Sequence, residues 1–286
     1  MPATIRNPGF PLRQAAALAL ALVAPFAAPA ETTPRDDVAA FAVLSAKDGL
    51  VNASVSSIAQ DSKGFIWLGT QGGLARYDGS AFRTFENEPF DENSLSGSLV
   101  QTLFLDAGDV LWVGTYNGLN RFDIGTETFT RYVYDPARPD SLSNDLVIAI
   151  ARDAKGRLWA GTLNGLSRLD EETGAFERYL HDPEDPHSIP NNTVRSMLLD
   201  SRGTLWIGFT GGGLATYDYE RDRFDRWPRA GGEGPPASAS LQSIAEDARG
   251  NLWFGAWGTG LVRYSPADGS FRTWVLPDNR IYVINA

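Results

Sequence analysis

Asp200-Ser201-Arg202-Gly203-Thr204-Leu205-Trp206-Ile207-Gly208 is the stretch whose reading decides the fold. Its core recurs as Phe65-Ile66-Trp67-Leu68-Gly69, Val110-Leu111-Trp112-Val113-Gly114, Arg157-Leu158-Trp159-Ala160-Gly161 and Asn251-Leu252-Trp253-Phe254-Gly255. The five tryptophans are spaced by 45, 47, 47 and 47 residues. A fixed period in the forties is the mark of a repeat architecture.

The chain around Trp206 reads as four short strands. Thr193–Asp200 is the first, and Asp200-Ser201-Arg202-Gly203 turns it: the Asp side chain caps the turn and Gly takes the left-handed position. Leu205–Gly208 is the second, turned by Gly211-Gly212-Gly213. Leu214–Asp218 and Phe224–Trp227 are the third and fourth. Four strands per unit of this length make a propeller blade. The expected fold is all-β: a β-propeller of four-stranded antiparallel blades, five of them complete, at about 54–87, 98–135, 145–182, 193–228 and 240–276. Other columns agree. The third strand opens on Leu74, Leu119, Leu166, Leu214 and Leu261, and the fourth carries Phe-x-x-aromatic in every unit. Unit two departs at its first turn, Asp106-Ala107-Gly108-Asp109, where Gly comes one place early.

In the second strand Trp67 and both its neighbours, Ile66 and Leu68, are apolar. Successive strand side chains face opposite ways, so both faces are buried, as a blade held between two blades requires. Trp67, Trp112, Trp159, Trp206 and Trp253 are therefore structural core, and Gly69, on the Trp67 face, leaves room for a ring packed from the next blade. The Asp-x-x-Gly turns lack the ligand series of a calcium loop, so no metal site is expected.

The two ends read differently. Arg6 and Arg13 precede an apolar run, residues 14–28, and Ala28-Pro29-Ala30 offers a cleavage site; residues 1–30 have the form of a secretory signal, and 31–40 of a linker. The run falls short of the roughly 20 residues of a membrane span. An exported, periplasmic chain follows. Segments 41–44 and 280–285 look like an outer and an inner strand without blades of their own. An open, uncapped arc is the expectation, with further blades of a longer parent as its partner.

The chain has 286 residues, no Cys and a net charge of −10. Disulfides and Cys-type zinc sites are excluded. So acidic a surface repels phosphate backbones, which argues against nucleic acid as a partner.

The repeat runs approximately Val-x-x-Ile-x-x-Asp-x-x-Gly-x-Leu-Trp-x-Gly-Thr-x-x-Gly-Leu-x-Arg-Tyr-Asp, then Phe-x-x-Tyr, with long loops such as Asp140–Asn144 and His187–Asn192 before each inner strand. It resembles the two-component regulator propeller repeat over about residues 41–286. The resemblance implies a seven-bladed parent ring and an exported sensor domain of a histidine kinase, hybrid kinase or diguanylate cyclase. It also implies a membrane-linked signalling module and a homodimer formed through the parent receptor.

Chemistry has few candidates. His181 and His187 share one loop with Asp182, Glu184 and Asp185, the one place where a propeller lyase or glycosidase could keep a base beside an acid; a solvated loop is the simpler account. There is no nucleophile elbow or phosphate loop, so no catalytic residue and no cofactor are assigned. Binding is the better expectation. The loops after each Trp-x-Gly run carry Gln71, Tyr116, Asn117, Asn164, Thr210 and Trp257, amides and aromatics on a repeated scaffold. Together they would suit a small molecule or an oligosaccharide; singly, each is also an ordinary turn residue. A protein-interaction scaffold is the remaining alternative.

Overall fold

The computed structural model describes residues 43–228, 234–235, 239–276, 281 and 283–284. The signal and linker segments lie outside them. Twenty strands form five four-stranded antiparallel sheets, each a meander in chain order. The first blade is β1 (Val55–Gln60), β2 (Ile66–Thr70), β3 (Gly73–Tyr77) and β4 (Phe82–Phe85). The second is β5 (Val100–Asp106), β6 (Val110–Thr115), β7 (Gly118–Asp123) and β8 (Thr128–Tyr132). The third is β9 (Val147–Arg152), β10 (Leu158–Thr162), β11 (Gly165–Leu169) and β12 (Phe176–Tyr179). The fourth is β13 (Val194–Leu199), β14 (Leu205–Phe209), β15 (Leu214–Asp218) and β16 (Arg223–Trp227). The fifth is β17 (Ser240–Glu246), β18 (Leu252–Trp257), β19 (Gly260–Ser265) and β20 (Ser270–Trp274). The inner strands β1, β5, β9, β13 and β17 contact one another in succession, and the blades do not close into a ring.

Each Asp of the first turn does two jobs. Asp153 Oδ1 accepts the amides of Lys155 and Arg157, which closes the turn, while Oδ2 accepts the Trp159 indole N–H at 2.8 Å. The indole bond recurs at 2.9, 3.0, 2.9 and 2.9 Å for Trp67–Asp61, Trp112–Asp106, Trp206–Asp200 and Trp253–Asp247. A buried indole N–H needs an acceptor. The constant Asp-x5-Trp spacing supplies it, and fixes the ring's direction. Unit two keeps the bond with its Gly displaced: Asp106 pairs directly with Val110, and Gly108 and Asp109 both take positive φ, 72° and 58°, to close the shorter loop.

In the first four blades the ring is set between its own blade and the next. Trp67 meets Phe85 of its own β4 and Phe122 of the second blade, centroids 6.0 and 5.4 Å apart. Trp206 likewise meets Trp227 and, across the interface, Tyr264 and Phe254. The glycine two places on has a different neighbour from the expected ring. A Cβ on Gly69 would lie 2.7 Å from Val100 Cγ1, the first residue of the next inner strand. Gly114, Gly161, Gly208 and Gly255 stand in the same way against Val147, Val194, Leu241 and Ile281. The glycine admits an aliphatic anchor of the following strand; the rings occupy the space further out.

The long loops between blades are fastened by arginines. Arg131 Nε donates to the Ser94 carbonyl and its Nη2 to those of Asp91 and Leu95. Arg178 and Arg226 hold the loops at Arg138–Ser141 and Asp185–Ile189 in the same manner. A guanidinium with several carbonyls satisfies backbone groups that no ladder reaches. Each clamped loop drives one apolar residue into the interface: Leu95, Leu142 and Ile189, all fully buried.

The outer face of the first blade differs from the expectation of an uncapped edge. A short 3-10 turn, Ala46–Asp48, leads to Leu50, which packs on Leu68 and Ala75. Of segment 41–44, Val43 and Leu44 lie outside any strand; of segment 280–285, so do Ile281, Val283 and Ile284, and the remaining residues of both are not described. Neither segment gains a ladder partner among the described residues, and an extended segment without one has no hydrogen bonds to hold it as a strand.

The carboxylates that hold the tryptophans bear on acid stability. Burial pushes Asp106 up, but the Arg152 guanidinium, the Ala107 amide and the Trp112 indole together keep it below the ordinary 3.8. The Trp253 indole and the Asn251 side chain hold Asp247 lower still. A depressed carboxyl stabilises the fold above its unfolded value, and that stability is lost as pH falls through the folded value. Urea midpoints are therefore expected to stay level between about pH 7 and 5 and to fall below about pH 4. A midpoint that rises on acidification would contradict this.

Candidate ligand site on the propeller axis

Every inner strand carries one extra residue near its start. The pairing skips between Val55 and Ser57, Val100 and Thr102, Val147 and Ala149, Val194 and Ser196, and Leu241 and Ser243. The residues left over are Ser56, Gln101, Ile148, Arg195 and Gln242. A bulge takes its residue out of the ladder and re-aims the side chain. All five line one cavity of about 530 Å³ on the axis, together with Ser57, Thr102, Ser196, Ser243, Met197, Ile244, Trp257 and others. A smaller cavity of about 280 Å³ adjoins it, sharing Ser56 and Gln101 and adding Gln71, Leu99 and Tyr116.

The loop residues singled out in the sequence divide accordingly. Gln71, Tyr116, Leu163 and Thr210 are equivalent: each donates its amide to the residue before the inner strand's first apolar position, Ser54, Leu99, Leu146 and Thr193. Trp257 pairs with Ser240 at the same place in the fifth blade. Trp257 lines the axial cavity and is 41% exposed; Gln71 and Tyr116, the latter 48% exposed, line the adjoining one. Thr210 Oγ1 accepts from Arg195 Nε at 2.9 Å. Asn117 and Asn164 lie one residue further along, in neither cavity. Their backbone amides donate to Thr115 and Thr162 Oγ1, and the Asn117 side chain packs on Gly97.

The bulge residues escaped the sequence reading. Their signal was a column: after the Val or Leu near the start of each inner strand comes Ser56, Gln101, Ile148, Arg195 or Gln242, four residue types in five units, and then Ser, Thr or Ala. Variation in one column between two steady ones marks a position the scaffold does not need.

The histidines stand elsewhere. His181 Nδ1 lies 2.8 Å from the Ile189 carbonyl, so it carries the proton; His187 Nε2 faces Arg223 Nη1 at 3.1 Å and acts as acceptor. Both belong to the clamped outer loop and line neither cavity. No group of three or more metal-ligating side chains occurs among the described residues. A further cavity of about 600 Å³, by Arg157, Arg168, Glu171 and Glu177, is lined by charges already engaged: Arg168 pairs with Glu177 and Asp222, and Arg152 with Glu171.

The architecture defines the chain as a β-propeller, and comparison identifies its repeats. The model of the two component regulator propeller matches residues 49–72, 141–164, 188–211 and 234–258, so these stretches are similar to two-component regulator propeller repeats. The extracellular domain of a hybrid two component system from B. thetaiotaomicron is similar in structure, with a TM-score of 0.68 and 28% identity over 80% of this chain and 31% of that one. Histidine kinase P4 of Formosa agariphila is 45% identical over 49 residues, which is 17% of this chain and 4% of the kinase. This chain thus spans under a third of the solved domain's length. A streptogramin B lyase shares the fold at 17% identity and a TM-score of 0.59, covering 80% of this chain and 70% of that one. At that identity the likeness is one of fold alone. No helix among the described residues is long and apolar enough to cross a membrane.

Proposed function

We propose that this chain is the exported, periplasmic ligand-sensing propeller of a two-component receptor, and that it binds a small molecule or oligosaccharide without acting on it. The likeness to the extracellular domain of a hybrid two component system supports the sensor role. The axial cavity carries the ligand reading: the bulge residue of every inner strand lines it, and that column varies between blades. Shape is conferred by the ladders, and chemistry by residues the ladders leave over. Hydroxyls and amides at Ser57, Gln101, Thr102, Gln242 and Ser243, with the exposed ring of Trp257, make a mixed wall of the kind that orients a polyhydroxylated ligand. Ligand occupancy would bias how the blades pack against a membrane-linked kinase or cyclase module, as a population shift between two packings of that module. The chain would act as part of a dimeric receptor.

The test is a thermal-shift panel of monosaccharides, oligosaccharides and their acids against the full chain. Binding at 100 times Kd stabilises the folded state by about 2.7 kcal/mol, a readily measured rise in Tm. A saturable shift with the ligand recovered unchanged supports the proposal. Turnover of the ligand, abolished by substituting His181 or His187, would replace it with the lyase reading.

A further inference from the structure

Among the described residues that line the axial cavity, the charged side chain is Arg195. It is the bulge residue of β13, and it is held by Nε alone, through Thr210 Oγ1. Its two terminal nitrogens have no hydrogen-bond or carboxylate partner among the described residues. Many other arginines of the chain are engaged: Arg76, Arg83, Arg138, Arg152, Arg157, Arg168, Arg202, Arg221 and Arg223 face carboxylates, and Arg131, Arg178 and Arg226 clamp loop carbonyls. In a chain of net charge −10, a guanidinium in a cavity with no carboxylate among its described lining residues is a local inversion of the field.

Resting on the reading of this cavity as the ligand site, we propose that the ligand is a carboxylate-bearing sugar, a uronic acid or a short oligosaccharide ending in one, with its carboxylate on Arg195. The fork of terminal N–H groups matches a carboxylate in two parallel hydrogen bonds. One positive charge balances one negative charge. A phosphate dianion would call for a second cation, and the described lining residues include none besides Arg195. A polyanion would meet the acidic surface. Thr210 fixes the guanidinium plane in advance, which reduces the ordering that binding requires. The hydroxyl and amide wall meets the sugar's hydroxyls.

The experiment is isothermal titration of the full chain with D-glucuronate and D-galacturonate, each against its neutral parent, D-glucose or D-galactose. At least one uronate is expected to bind about 10-fold or more tightly than its parent. Arg195→Gln should weaken that uronate about 10- to 100-fold and leave the parent unchanged, with Arg195→Lys falling between, because a point charge replaces a fork. Thr210→Val, which frees the guanidinium without removing it, should weaken the uronate by a smaller factor, and each variant's melting curve checks its fold. Equal binding of uronate and parent, or no effect of Arg195→Gln, would overturn the proposal and leave the sensing role intact. So would a panel in which neutral saccharides alone bind. If no saccharide of either kind binds, both readings fail.

Discussion

Trp159→Ala is expected to lower the unfolding free energy by about 3–5 kcal/mol, the range for removing a buried aromatic. The ring is fully buried and joins two blades. It packs on Tyr179 of its own blade at 5.3 Å and on Tyr217 and Phe224 of the fourth at 4.9 and 6.4 Å. Alanine leaves a void on an interface whose walls are anchored in two separate sheets, so collapse is limited. It also removes the indole donor from Asp153, although Arg157 Nε remains 2.7 Å from the same oxygen. Trp253→Ala is the internal comparison. That ring stacks on Trp274 of its own blade, 5.5 Å away, and stays partly exposed, so its loss is expected to be less than half as large. Urea midpoints measure both. Equal effects would mean that the rings stabilise single blades and not the joints between them.

Gly161→Ala should be the second large effect, about 1–3 kcal/mol, as overpacking typically gives. The added Cβ would stand 2.9 Å from Val194 Cβ and closer still to its Cγ1, with Ala149 at 3.5 Å. Val is stiff at its first torsion and cannot turn aside. The strain must therefore move β13 away from β10 and loosen the joint between the third and fourth blades. Gly125, exposed in a loop where an added Cβ would meet only the Asp123 side chain at 3.3 Å, is the control, with Gly125→Ala expected to change stability by no more than about 0.5 kcal/mol. A double variant with Val194→Ala should recover part of the Gly161→Ala loss, since the two residues share one contact. Additive losses would show that the glycine is needed for backbone freedom instead.

The blades were legible because their signals are local and repeated. Asp200 and Trp206 sit six apart in one hairpin, and the hairpin recurs with the same spacing, so the strands, the turn and the burial of the ring follow together. What lies between blades was harder. The neighbour of Gly69 is Val100, far along the chain, and nothing in the Trp67 hairpin says whether an aliphatic group or a ring fills that space. The Phe-x-Arg-aromatic of Arg131, Arg178 and Arg226 was visible, but its purpose depends on the path of a loop before the same blade.

The candidate site was half legible for a related reason. The end of the molecule that would carry it follows from hairpin order, and Gln71, Tyr116 and Trp257 do line the cavities there. Arg195 and Gln101 were missed because a bulge leaves no mark in the alternation of a short strand whose two faces are both covered. Asn117 and Asn164, one residue further along the same turns, line neither cavity.

Hydrogen exchange of the full chain, with and without the saccharide that raises Tm most, tests the central claim directly. The account predicts protection at the inner-strand bulges, at 55–57, 100–102, 194–196 and 241–243, and at the hairpin carrying Trp257. Protection confined to the outer loop at 181–192, or spread evenly over the blades, would contradict an axial ligand site.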